Sequence, residues 1–177
     1  MIKAMLVIDM QNDFISGALG TKEAQAIVEA CADEIKLYKQ ETGLPVIFTK
    51  DTHFENYSDT MEGRKLPVPH CIKNTYGWEL EDSLKALAGS NDAVVEKITF
   101  GCRDIADKVT EVYGGAPDEI EIFGLCTDIC VISNVMLLKA AFPECAIKVK
   151  ESCCAGVTPE SHRNALEAMK MCHIDII

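Results

Sequence analysis

Residues 119–141 read EIEIFGLCTDICVISNVMLLKAA. A β-rich run, Glu119 to Gly124, passes through a short turn into a helical stretch, Thr127 to Ala141. The same passage from strand to helix recurs along the chain, and that recurrence decides the fold. Upstream, Lys3 to Asp9 reads as a buried strand and Thr21 to Gln40 as a helix. The helix places Ala24, Ile27, Val28, Cys31, Ile35 and Tyr38 on one face. Gly43 closes it, and Pro45 to Lys50 is the next strand. Asp51 to Tyr76 is long, carries Pro67 and Pro69, and shows no period, as functional loops often do. Gly77 to Ala88 then reads as helix, Ala93 to Lys97 as strand, and Cys102 to Tyr113 as helix. Beyond residue 141, Ala146 to Lys150 is a strand. Thr158-Pro159 caps the last helix, and Ile174 to Ile177 is a short final strand. With no repeat, linker or composition break, this order predicts one α/β domain over residues 1–177. Its parallel sheet is covered by helices on both faces. Right-handed crossovers put every strand's carboxyl end on one edge, where ligands bind in such sheets.

Composition narrows the function. The chain has 177 residues, 48% hydrophobic and 25% charged, which excludes disordered and collagen-like classes. Net charge is 17 − 28 = −11, so phosphate backbones and anionic membranes are repelled and neither is an expected partner. No apolar run approaches the roughly 20 residues of a membrane helix. The run Ala4 to Ile8 is too short for a signal-peptide core and ends in Asp9. A cytoplasmic protein is the expectation. Nine cysteines without a CxxC pair then read as reduced thiols, not as a disulfide or zinc-ribbon framework.

The reactive residues sit where strands end. Asp9 closes the first strand, Asp51 and His53 follow the second, Lys97 closes the next, and Cys130 lies just after the strand ending at Gly124. Topology brings these distant positions to one edge. Asp9 ends an apolar run, where a carboxylate is costly unless paired; alternatively it forms a turn. Lys97 equally reads as a snorkelling surface lysine. Cys130 in a first helical turn meets free N–H groups and the positive dipole end, which predicts a lowered pKa; the rival reading is a core thiol. Asp51, His53, Glu62 and His70 offer donors that suit zinc, manganese or iron, though His70 also reads as a packed loop residue. There is no GxGxxG, P-loop or GxSxG, so no nucleotide cofactor is expected. His162 and His173 read as structural.

Several segments together are distinctive. They are LVIDMQNDF (6–14), DTH (51–53), PHCIKNTYGWEL (69–80), VEKITF (95–100), GLCTDICV (124–131) and TPESHRNALEAM (158–169). In these the chain resembles the isochorismatase-like cysteine hydrolase superfamily, within it the nicotinamidase-related branch. The resemblance spans essentially the whole chain. It implies a three-layer α/β/α fold with a six-stranded parallel sheet, order 3-2-1-4-5-6. It implies a triad of Asp9, Lys97 and Cys130 that hydrolyses a small carboxamide through a thioester. The oxyanion hole would use the N–H groups of Cys126 and Cys130, beside a cis Leu125–Cys126 peptide. A divalent metal would take Asp51, His53 and His70, with Glu62 or Asp59 as fourth ligand. Phe14 keeps an aromatic substrate-wall position, whereas Pro67 stands where nicotinamidases often carry tryptophan, so nicotinamide itself need not be the substrate. Relatives of this kind are commonly homo-oligomers. Two rivals belong to other classes. One is a vinyl ether hydrolase, whose members lack the cysteine; the other is a non-catalytic binding protein.

Overall fold

The computed structural model describes residues 1–177. β1 (Lys3–Ile8) is enclosed from Ala4 onward, as a central strand with helices on both faces must be. Replacing one of its large side chains, such as Leu6, with alanine would cost about 2–5 kcal/mol. Five strands follow: β2 (Ile47–Asp51), β3 (Ala93–Lys97), β4 (Glu119–Leu125), β5 (Ala146–Ala155) and β6 (Asp175–Ile176). They form one parallel sheet in the order β3-β2-β1-β4-β5-β6, as the resemblance implied. β3 is an edge strand and turns Val94 and Glu96 outward.

The helices are α1 (Asn12–Ile15), α2 (Lys22–Ala26), α3 (Val28–Thr42), α4 (Met61–Lys65), α5 (Asp82–Lys85), α6 (Ile105–Tyr113), α7 (Ile132–Ala141) and α8 (Pro159–Met171). The expected single helix over 21–40 is broken at Ile27 into α2 and α3, yet Ala24, Ile27, Cys31, Ile35 and Tyr38 are all buried. Gly43 ends α3 at φ +65, a left-handed cap that glycine adopts without strain. Thr158 and Ser161 form a capping box ahead of Pro159 in α8.

Three expectations need correction. The stretch 77–88 is not one helix; only Asp82–Lys85 is helical. Its first residues instead pair with the segment after β1: Asn12 N–H donates to Glu79 O, Asp13 N–H to Gly77 O, and Glu81 N–H to Met10 O. Tertiary pairing has overridden local preference. β5 runs to Ala155, five residues past Lys150. Its register against β4 slips between Ile122 and Gly124, where the partner changes from Val149 to Cys154. The irregular stretch 51–76 also holds a 3₁₀ turn at Tyr57–Asp59 and α4. All nine cysteines are free thiols.

Gly124 is required by close approach. Its φ is +129, and a Cβ there would sit 2.1 Å from Ile8 O. β1 and β4 are thus pressed together where the strand order reverses, the place where open α/β sheets bind ligands.

Candidate active site

Four adjacent strands deliver one charged or reactive group each. Asp51 and Lys97 are register partners at the ends of β2 and β3. Asp9 follows β1 at φ +47, a left-handed backbone that non-glycine residues rarely adopt and that clusters at functional sites. Cys130 lies in a π-helical turn, Thr127–Val131, between β4 and α7. The Leu125–Cys126 peptide ahead of it is cis.

Lys97 Nζ is the hub. It lies 2.6 Å from Asp9 Oδ2 as an ion pair. It donates to Asp51 Oδ1 at 3.2 Å, to Thr99 O at 3.2 Å and to Cys130 Sγ at 3.4 Å. Thr49 Oγ1 donates to Asp9 Oδ1 at 2.6 Å and accepts the Asp9 N–H at 3.1 Å. Asp9, Lys97 and Cys130 are all buried. The Cys130 thiol is thus enclosed and in contact with a cation.

Burial sets the protonation states. It lifts the Asp9 carboxyl above its ordinary range, with Lys97 and Thr49 opposing and Asp51 adding to the rise. It pulls on Lys97 in the opposite sense, but Asp9, Cys130 and Asp51 outweigh it and keep the ammonium charged. The expectation for Cys130 is overturned. Burial first, then Asp9, push the thiol well above its usual value, and Lys97 offsets only part of this. Desolvation of a nascent thiolate beside two carboxylates exceeds what a helix dipole supplies. The resting residue is a thiol.

A second cluster shares Asp51. The ligand atoms of Asp51, His53, Glu62 and His70 all lie within 4.8 Å of one another. Asp51 Oδ2 is 3.1 Å from His53 Nε2 and 3.7 Å from His70 Nε2, while its Oδ1 faces Lys97. Glu62 Oε1 stands 3.5 Å and 3.7 Å from the same nitrogens. Asp59 is exposed in the 57–59 turn and outside the cluster. His70 Nδ1 is 2.8 Å from Val68 O. A carbonyl only accepts, so Nδ1 carries a proton there, and Nε2 is the nitrogen that faces the carboxylates. His53 Nε2 is buried without an aligned hydrogen-bond partner. Burial lowers the His53 pKa, but Asp51 and Glu62 prevail and push it up to about 9. A pocket of two imidazoles and two carboxylates that so favours positive charge fits a divalent cation of the zinc, manganese or iron type.

A cavity of about 310 Å³ opens over both clusters. Cys126, Cys130, Asp51, Glu62 and His70 belong to its lining, and Phe14, Leu19, Leu66, Phe100, Ile129 and Val157 supply apolar walls. Phe14 also packs against His70, ring centroids 5.5 Å apart. Pro67 is exposed and does not line the cavity. Several groups here were not singled out in the sequence. Thr49, Leu66 and Val157 carry no signal there, and Phe100 appears only as the last residue of the VEKITF segment. Gln11 lies within the recognised MQNDF run, and its amide is bonded to both Asp51 N–H and Asp51 O. His162 does more than fill space, because its Nδ1 is 2.8 Å from Thr127 Oγ1 in the π turn.

The whole chain from residue 3 to 177 matches the family model described as the isochorismatase domain. A nicotinamidase of Escherichia coli (strain K12) is 28% identical over 96% of this chain and 90% of its own length. The crystal structure of a Bacillus subtilis nicotinamidase superposes with a TM-score of 0.84, at 28% identity over 99% of both chains. A Pyrococcus horikoshii pyrazinamidase, solved in complex with zinc, superposes with a TM-score of 0.82. It is 25% identical over 100% of this chain and 99% of its own.

Proposed function

The chain belongs to the isochorismatase family, in its nicotinamidase-related branch, and from that premise we propose that it hydrolyses a small carboxamide to acid and ammonia. The nicotinamidase and pyrazinamidase relatives support amide hydrolysis in general. The observation that carries the cysteine route is the contact chain Asp9–Lys97–Cys130, 2.6 Å and 3.4 Å, beside the cavity.

In this reading Cys130 Sγ attacks the amide carbonyl and Asp9 takes the thiol proton as the S–C bond forms. A carboxyl lifted by burial suits that exchange, because it both accepts the proton and releases it. Lys97, held cationic, offsets the charge on sulfur. The Cys126 N–H donates to no backbone or side-chain acceptor, and with the Cys130 N–H it would receive the oxyanion. Asp9 hands its proton to the departing nitrogen, so ammonia leaves and the acyl group stays as a thioester. Water then adds, gives its proton to Asp9, and frees the acid. That proton returns to sulfur. Asp51, His53, Glu62 and His70 would hold a divalent metal, which supplies Lewis acidity and a template for the substrate. The apolar walls exclude water and favour an uncharged substrate body. We further take residues 1–177 to act as one domain.

Ammonia release from a panel of carboxamides, nicotinamide and pyrazinamide included, tests this. Cys130→Ala should abolish turnover, while Cys126→Ala should be mild because that residue acts through its backbone. Full turnover by Cys130→Ala would disprove covalent catalysis.

A further inference from the structure

We propose that Asn134 is a positioning residue that aims the Cys130 thiol into the cavity and holds the Phe100 wall beside it. This rests on the reading of Cys130 as the nucleophile. Asn134 lies on α7, four residues past Cys130, and is fully enclosed. Its amide is bonded at both ends. Nδ2 donates to Cys130 O at 2.7 Å and to Phe100 O at 3.2 Å, and Oδ1 accepts the Cys102 N–H at 2.8 Å.

The first bond is local, because a helical side chain leans over the turn before it. The other two cross to the irregular segment between β3 and α6, residues 98–104. That segment begins beside Lys97, whose Nζ donates to Thr99 O, and it carries Phe100 into the cavity lining. One side chain therefore joins the thiol's turn to the segment that bonds the cation and carries the wall. The two run close together: a Cβ on Gly101 would meet Leu137 Cδ1 at 2.9 Å and Ser133 Cβ at 3.4 Å. Asparagine is a poor helix former, set here just ahead of the mostly apolar stretch VMLLKAA. Two of its three bonds are to residues more than 30 positions away, which marks a role set by the tertiary structure.

The test compares Asn134→Ala and Asn134→Ser with the parent protein. Three quantities are read: the melting temperature, the rate of Cys130 alkylation by iodoacetamide from peptide mass spectra, and kcat and KM for the panel carboxamide turned over fastest. In Asn134→Ala, alkylation and kcat should fall on the order of 10²-fold, as for a misplaced reacting group, and KM should rise. A serine hydroxyl reaches the carbonyl four residues back but not Phe100 or Cys102. Asn134→Ser should therefore regain alkylation and kcat while KM stays raised. If the alanine variant does not fold, the serine variant decides by the same split. A parental alkylation rate in folded Asn134→Ala, or a serine variant that loses alkylation and kcat as the alanine variant does, would overturn the proposal. Alkylation needs no substrate, so an amide panel without turnover sinks the proposed activity and leaves this inference to its own measurement.

Discussion

Thr49→Val exchanges a hydroxyl for a methyl and keeps the side chain's shape. Thr49 is fully enclosed on β2, and its hydroxyl serves both polar ends of Asp9, bonding the carboxylate at 2.6 Å and the N–H at 3.1 Å. A hydrogen bond to a charged group contributes about 1.5–3 kcal/mol, and an orphaned buried N–H costs about 1–3 kcal/mol. Both losses come from one side chain and do not add fully, so about 3 kcal/mol is expected. For a chain of this size that lowers Tm by about 6–12 °C. The activity signature is separate. Thr49 pulls the Asp9 pKa down against burial, so its loss lets the carboxyl rise further. A base must be ionised to act, hence the acid limb of kcat/KM should move to higher pH. Thermal melts and a pH–rate profile on the panel amide would read both effects. An unchanged Tm with an unmoved acid limb would refute the reasoning, since Asp9 would then take its backbone and charge from elsewhere.

Other consequences are equally concrete. Burial, and Glu34 after it, push Glu121 up to about 7 from 4.5, with Lys150 opposing. The folded state thus holds a proton that the unfolded chain has lost between those pH values, so stability falls as pH rises through that interval. Part exposure screens the shift to about 1–2 kcal/mol, so Glu121→Gln should stabilise more at pH 8 than at pH 5 in urea melts. Zinc measured by elemental analysis should bind one per chain and drop to background in His70→Ala and Glu62→Gln, whereas Asp59→Ala keeps it; loss of zinc in the Asp59 variant would contradict the ligand set. Gly124→Ala drives a Cβ into Ile8 O at a φ of +129 and should cost more than about 2 kcal/mol; a variant as stable as the parent would mean that β1 and β4 separate easily.

The sequence by itself determined the alternation of strand and helix, and with it the sheet edge where Asp9, Asp51, Lys97 and Cys130 meet. Hydrophobic periodicity reports which residues face a core, and chain order with right-handed crossovers does the rest. The motif resemblance supplied the strand order and the cis Leu125–Cys126 bond, and both are present. Polar partnership was not legible. Thr49 and Asp9 are 40 residues apart, and Asn134 and Cys102 are 32 apart, so each pairing exists only once register and packing are fixed. The double use of Asp51, one oxygen toward Lys97 and the other toward two histidines, is likewise a matter of register. The stretch 77–88 lost most of its expected helix because its backbone bonds the segment after β1. The Cys130 pKa turned the other way for a related reason. A local rule counts the helix end, whereas desolvation depends on everything that encloses the thiol, and only the tertiary structure decides that.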